Sequence, residues 1–218
     1  MILHRFTIKL PAITEADVTP AEATPGMIIN TDAYAIIMKA DGNVKKELGL
    51  VQVYTGNGKG KTTASLGLAM RALGNGLSVV MIQFMKPDQG AGEYVMAKKL
   101  KDFTLIPCGL PHLVDPKNIT KEDRKAARDA LIKVKELLYS KKYDLFIIDE
   151  INVAMGWKLV DVNEVIEILK GRPSNVEVIL TGRYAPDEII EFADLVTEMR
   201  MIKHPYEKGV GPRKGIES

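Results

Sequence analysis

The sequence predicts an α/β fold: a mostly parallel central sheet with helices on both faces. Three observations predict it. Short apolar runs alternate with longer amphipathic segments from Leu48 to Met201, the rhythm of strand–helix–strand units whose strands run parallel. The run Ser78–Phe84 (Ser-Val-Val-Met-Ile-Gln-Phe) is apolar almost throughout rather than alternating, as a strand covered on both faces must be. A glycine-rich stretch, Thr55-Gly56-Asn57-Gly58-Lys59-Gly60-Lys61-Thr62-Thr63, stands between the first strand and the first helix. In a parallel sheet that is where backbone N–H groups meet a ligand.

Taken in order, residues 1–49 read as an N-terminal extension, a packing arm or small subdomain. Leu3, Phe6, Ile8 and Leu10 alternate weakly, Pro11, Pro20 and Pro25 follow, and Asp41-Gly42-Asn43 is a turn signal. Residues 50–203 form the α/β domain, and 204–218 a tail with glycines and prolines among charges. Leu48–Tyr54 is the first strand and Ala64–Leu73 the first helix, stopped by Gly74-Asn75-Gly76. Ser78–Phe84 is a strand, Glu93–Leu100 a helix, and Phe103–Pro107 a strand. Cys108–Asn118 lacks periodicity and reads as a site loop. Thr120 opens a long helix to about Ser140, with Thr120 and Asp123 spaced as a capping box. Its apolar stripe is Ala127, Leu131, Val134 and Leu138. Tyr143–Glu150 is a buried strand ending in two carboxylates. Asp161–Leu169 is helical, Val176–Leu180 a strand, Pro186–Ala193 a helix with proline in its first turn, and Leu195–Met201 the last strand.

Composition excludes several classes. The chain has 218 residues, 46% apolar and 27% charged, a globular composition with room for one domain and a small appendage. A net charge of +2 and the lack of a basic stripe argue against a nucleic-acid partner. Cys108 is the one cysteine, which leaves no intramolecular disulfide and no thiolate metal cluster. No apolar run reaches the ~18 residues of a membrane span. Met1 to Leu10 lacks the continuous apolar core of an export leader, so the cytoplasm is the expected location.

The glycine-rich stretch carries the chemistry. Its glycines let the backbone turn and point N–H groups inward, and the positive end of the following helix adds to that anion site. Gly56, Asn57, Gly58, Lys59, Gly60, Lys61, Thr62 and Thr63 are the nucleotide-binding candidates. Lys61 would reach phosphate oxygens, and the Thr62 hydroxyl suits a magnesium ion. The usual spacing asks for glycine where Thr55 stands, with glycine displaced to Gly56. Asp149-Glu150 and Thr181-Gly182-Arg183 fall at the same end of the sheet. One carboxylate would hold the metal or its waters while the other positions water or contacts the ion. Arg183 offers a planar donor fork for polyphosphate, with a surface ion pair as the alternative. Arg71, on the first helix, serves the nucleotide or a solvated face. These residues describe a magnesium nucleoside-triphosphate enzyme of phosphate-loop (P-loop) architecture. They leave open whether phosphate, water or sugar is attacked.

Read together, several stretches resemble the phosphate-loop type of ATP:corrinoid adenosyltransferase. They are the Thr55–Thr63 loop, Arg71-Ala72-Leu73-Gly74, Gln83-Phe84-Met85-Lys86, Gly92-Glu93, Asp149-Glu150, Arg172-Pro173, Thr181-Gly182-Arg183, Ala193-Asp194, Glu198-Met199-Arg200 and Lys203-His204, with Gly209 and Gly215 in the tail. The shifted glycine is that family's own loop variant. The resemblance covers about residues 50–218. It implies a RecA-like P-loop NTPase fold and transfer of the 5′-deoxyadenosyl group of ATP to the cobalt(I) of a reduced corrinoid, with triphosphate as leaving group. It also implies that ATP lies in the reverse sense to the usual phosphate-loop orientation, which exposes the ribose carbon. Lys61, Glu150 and Arg183 are then catalytic; Thr62, Glu150 and Asp149 serve magnesium. A homodimer and a flavoprotein reductase partner follow from the same resemblance.

Two departures accompany it. Members place aromatic residues after a glycine beyond the third strand, under the corrin ring. That glycine aligns with Gly109, and the aromatic positions fall on Leu110 and His112. Leu110 still excludes water, whereas the imidazole of His112 is a possible cobalt ligand. Residues 1–49 lack the charged amphipathic helix with which members cover a neighbour's site. The competing readings are a P-loop ATPase or small-molecule kinase, and a non-catalytic ATP- or corrinoid-binding regulatory module.

Overall fold

The structure is a computed structural model and describes residues 47–87 and 91–216. The expected extension, apart from residues 47–49, therefore lies outside the described residues. Six strands form one sheet: β1 (Val51–Thr55), β2 (Val79–Phe84), β3 (Phe103–Cys108), β4 (Leu145–Asp149), β5 (Glu177–Thr181) and β6 (Leu195–Glu198). Their order is β3-β2-β4-β5-β1-β6, and every pairing is parallel. The helices of the described residues are α1 (Lys61–Gly74), α2 (Gly92–Ala97), α3 (Lys121–Tyr139), α4 (Ile151–Gly156), α5 (Val162–Lys170) and α6 (Asp187–Phe192). This is the α/β architecture expected. β5 intervenes between the strand that feeds the glycine loop and the strand that ends in Asp149, as in RecA-like P-loop proteins.

Strand order explains why the apolar runs are continuous. The chain steps from β1 outward to β2 and β3, then returns through β4, β5 and β6, so right-handed crossovers put α1 and α2 on one face and the later helices on the other. Successive residues of one strand consequently feed two cores. Val80, Ile82, Phe146, Ile148, Val178 and Leu180 pack with Leu131, Val134 and Leu138 of α3. Val79, Met81, Leu145, Ile147 and Ile179 pack with Ala69 and Ala72 of α1. The capping box of α3 is formed as the spacing predicts, Thr120 accepting from the Asp123 N–H while Asp123 accepts from Thr120.

Boundaries move where side chains claim the backbone. β1 begins at Val51 rather than Leu48 because the Gly49 and Leu50 N–H groups donate to the Glu177 carboxylate, at 2.9 and 2.8 Å, instead of to a neighbouring strand. β6 ends at Glu198 rather than Met201, and the chain there turns onto the glycine loop. The short helix α4 has no counterpart in the sequence reading. It starts at once after Glu150, which adopts a left-handed φ of 62°. Methionines are not all core: Met70, Met96 and Met201 are exposed.

Candidate active site

The Thr55–Thr63 loop is folded by its glycines against one neighbouring segment. Gly56 and Gly60 have φ of 93° and 121°, where only glycine is free of steric penalty. The Gly58 N–H donates to the Met199 carbonyl at 2.6 Å. A Cβ on Gly58 would lie 2.7 Å from that oxygen and 2.8 Å from the Arg200 backbone. Beyond the loop, α1 supplies the N-terminal N–H groups and the helix dipole. Gly60 caps that helix with no side-chain bond.

Lys61 is buried and its ammonium donates to the Gly56 and Gly58 carbonyls, at 2.8 and 2.7 Å. Burial pulls its pKa below the ordinary lysine value; Glu150 and Asp149 work against that shift and Arg183 with it. The lysine is thus folded back along its own loop, a cation held by dipoles rather than by a carboxylate.

Asp149 and Glu150, adjacent in sequence, are treated differently by the fold. Asp149 is fully buried and saturated. Its Oδ1 accepts from Thr62 (2.9 Å) and Thr181 (2.6 Å); its Oδ2 accepts from Lys86 (2.7 Å) and Gln83 (3.2 Å). Among the described residues Glu150 receives no side-chain hydrogen bond. Burial, with the Asp149 charge second, raises its pKa; Lys86, Lys61 and Arg183 oppose this. The left-handed backbone of Glu150, tied by its N–H to Thr181 Oγ1 at 3.1 Å, turns the side chain out of the strand line. It lines the cavity, and Asp149 does not.

That cavity, about 680 Å³, is lined by Gly58–Thr63, Lys86, Glu93, Glu150, Arg183 and His204, among others. It brings together most of the residues singled out from sequence. Arg183 reaches it through a strained turn: Gly182 and Tyr184 both have positive φ, and the turn packs on α4. Arg71 is exposed, which fits the solvated helix face of its two readings. It stands in the last turn of α1, about 15 Å along the axis from Lys61 at 1.5 Å per residue. It lines a separate 250 Å³ cavity with Gln52, Leu68 and Glu177. Arg172 and Asp194, part of the matching stretches, hold backbone: Arg172 binds the Gly49 and Leu169 carbonyls, and Asp194 accepts from the Val51 N–H.

Sequence reasoning singled out neither Lys86 nor Gln83 as site residues. A signal existed: Gln83 is a polar residue in an otherwise apolar strand, and a buried amide requires a polar partner. Here that partner is Asp149.

The loop after β3 has neither strand nor helix from 109 to 118. Gly109 donates to the Lys86 carbonyl at 2.9 Å. Leu110 is half-buried. His112 is not free to swing: its Nε2 lies 2.9 Å from Asp123 Oδ1, so the cap of α3 also holds this imidazole. Thr120, more than His112, keeps the Asp123 carboxyl below its ordinary pKa. Gly109, Leu110 and His112 are not among the residues lining the 680 Å³ cavity.

The donor set has the chemistry of a magnesium site in a nucleotide enzyme, one or two carboxylates plus a hydroxyl beside a phosphate cradle. Because the Thr62 hydroxyl donates its proton to Asp149, its lone pairs remain for a cation. With Asp149 saturated, Thr62 and Glu150 are the two groups whose oxygens are available, a refinement of the expectation that named all three.

The family model described as ATP:corrinoid adenosyltransferase BtuR/CobO/CobP matches residues 47–218. A corrinoid adenosyltransferase of Sinorhizobium sp is 38% identical over 178 residues, 78% of this chain and 81% of that protein. One from Escherichia coli (strain K12) is 34% identical over 183 residues, 82% of this chain and 92% of its own. Among solved structures, the flagellar accessory protein FlaH of Methanocaldococcus jannaschii aligns with a TM-score of 0.46 at 15% identity, over 69% of this chain and 70% of that one.

Proposed function

The chain belongs to the ATP:corrinoid adenosyltransferase family, and on that premise we propose how its residues divide the reaction. The 5′-deoxyadenosyl group of ATP passes to the cobalt(I) centre of a reduced corrinoid, in the synthesis or salvage of adenosylcobalamin. Cobalt supplies the electron pair of the new cobalt–carbon bond and rises formally to cobalt(III). The bond between C5′ and oxygen breaks, and its pair leaves on triphosphate. No proton moves, so no general base is required; the protein's task is to receive negative charge on the leaving group.

One observation carries this reading: the loop N–H groups, Lys61, Thr62, Glu150 and Arg183 converge on a single cavity. The loop backbone and Lys61 take the triphosphate, in a surrounding that is partly dry and already oriented, where donors are worth most. Lys61 pays little reorganisation, because its present partners are carbonyls of the loop that phosphate oxygens replace. Arg183, which lines the same cavity, donates to the polyphosphate. Thr62 and Glu150 would hold magnesium, which when bound screens the triphosphate charge, while Asp149 orients the Thr62 hydroxyl from behind. Gly109 and Leu110 contribute to the corrinoid face, with His112 withdrawn onto Asp123.

The test is a spectrum. Protein, MgATP and a cobalt(I) corrinoid should give a light-sensitive cobalt–carbon product and an equal amount of triphosphate. Release of ADP or phosphate instead would mark an ATPase or kinase, and binding without turnover a regulatory module. The family reading extends to a homodimer, a flavoprotein reductase as electron source, and a cytoplasmic location. Sedimentation, reconstitution with a reductase and cell fractionation check these in turn.

A further inference from the structure

Lys86 has a place in the cavity that neither the glycine loop nor the carboxylate pair accounts for. Its ammonium lies 2.7 Å from Asp149 Oδ2, with the side chain 35% exposed and the carboxylate 0%. An ammonium has three N–H donors; Asp149 takes one, and Lys86 lines the same cavity as the glycine loop, sharing the Asp149 carboxylate with Thr62. Asp149 already accepts from Thr62, Thr181 and Gln83, so it is well solvated by the protein without a fourth donor.

The backbone is shaped to hold the lysine there. Met85, just before it, adopts a left-handed φ of 57°, which costs a non-glycine residue on the order of 1 kcal/mol. That turn follows the end of β2 directly. It is locked by Gly109, whose N–H donates to the Lys86 carbonyl at 2.9 Å. A Cβ on Gly109 would lie 2.4 Å from the Lys86 backbone N and C and 2.5 Å from Met85 C. Gly109 has no positive φ; its lack of a side chain is required by this contact.

We infer that Lys86 is a second triphosphate-binding residue, anchored by Asp149, aimed by Gly109, and donating to polyphosphate oxygens in the cavity it shares with the glycine loop. The inference rests on the proposal that triphosphate occupies this cavity. Lys61 and Lys86 then both hold the leaving group, one lysine fixed by backbone dipoles and the other by a carboxylate.

The experiment is titration calorimetry of inorganic triphosphate into the protein without corrinoid, with thermal melting in parallel. Lys86→Met should weaken triphosphate about tenfold or more, the size of one charge-assisted hydrogen bond, and Lys86→Arg should recover most of it. Gly109→Ala should weaken it too, because its Cβ displaces the Lys86 backbone. The double variant Lys86→Met/Asp149→Asn separates contact from charge balance. Persistent weakness there supports direct donation, whereas recovery to wild-type affinity means that Lys86 merely neutralises Asp149 and overturns the inference. A Lys86→Met protein that melts earlier but binds triphosphate normally overturns it as well. If the wild-type protein itself binds no triphosphate, the reading of the cavity fails and takes this inference with it.

Discussion

The two loops that follow β1 and β3 end at the same edge of the sheet, yet they are built on opposite terms. The loop 55–63 is closed by its own glycines, pinned at 2.6 Å to the Met199 carbonyl and threaded by a buried Lys61. The loop 109–118 leaves Leu113 90% exposed and is held by Gly109 on Lys86, His112 on Asp123 and Val114 against the core. A triphosphate is small, highly charged and always the same, so a rigid array of dipoles suits it. A corrinoid presents a broad apolar face, and contact with it needs exposed hydrophobic surface that can adapt. The contrast teaches which substitutions each loop tolerates.

The largest effect should come from Lys61→Ala. Product formation should fall by about a thousandfold, the scale for losing a main electrostatic donor. Folding should survive, since burial already lowers the pKa of this lysine and its charged form is held against that cost. Turnover near the wild-type rate, read from the cobalt–carbon spectrum, would remove the rigid loop from the chemistry.

Next in size is Glu150→Gln, which should cost about a hundredfold in activity if Glu150 serves the metal. Its effect on stability should have the opposite sign. Burial and Asp149 raise the folded pKa of Glu150, so the folded state binds more protons than the unfolded one between the ordinary carboxylate pKa and the raised value. Stability therefore falls as pH climbs through that window. The glutamine variant should be free of this loss and melt later than wild type at neutral pH. Equal melting curves across pH 4–8 would count against a strained, functional carboxylate.

Glycine substitutions sharpen the comparison within one stretch of chain. Gly58→Ala must push its Cβ to within 2.7 Å of the Met199 carbonyl and should cost about 1–3 kcal/mol of stability, along with ATP affinity. Gly67→Ala, in α1 with nothing within 4 Å of the new atom, should stabilise by about 0.5–1 kcal/mol. Chemical denaturation of both variants checks the pair.

The smallest change is expected from His112→Phe. The side chain is 53% exposed, and its link to Asp123 is a partly solvated one, so about 0–1 kcal/mol is at stake. Activity should remain or rise, because an aromatic ring there suits a corrin face and removes a possible cobalt ligand. A strong loss of activity with intact ATP binding would give this imidazole a positive role.

How much of this was legible beforehand varies by region for a physical reason. Strand and helix positions, the capping box at Thr120 and Asp123, and the phosphate loop were readable because each is local: periodicity, a three-residue spacing, glycines before a lysine. The helix α4 was not, because six residues, with Asn152 the one polar side chain, are too few to show an amphipathic period. Arg71 stayed open between the nucleotide and a solvated face, because position along the helix decides which end of the sheet a residue reaches. Lys86 was overlooked because its partner Asp149 lies 63 residues away.

By itself, the order of residues determined that a glycine-rich loop ending in Lys-Thr follows the first strand of a parallel α/β sheet, and that two carboxylates close a later strand. Both are consequences of short-range chemistry. Only the tertiary structure decided which carboxylate faces the cavity. Asp149 and Glu150 are indistinguishable as neighbours in a chain. They separate when β5 and β2 flank β4, bringing Thr181 and Gln83 onto one carboxylate and leaving the other, on a left-handed residue, turned toward the cavity.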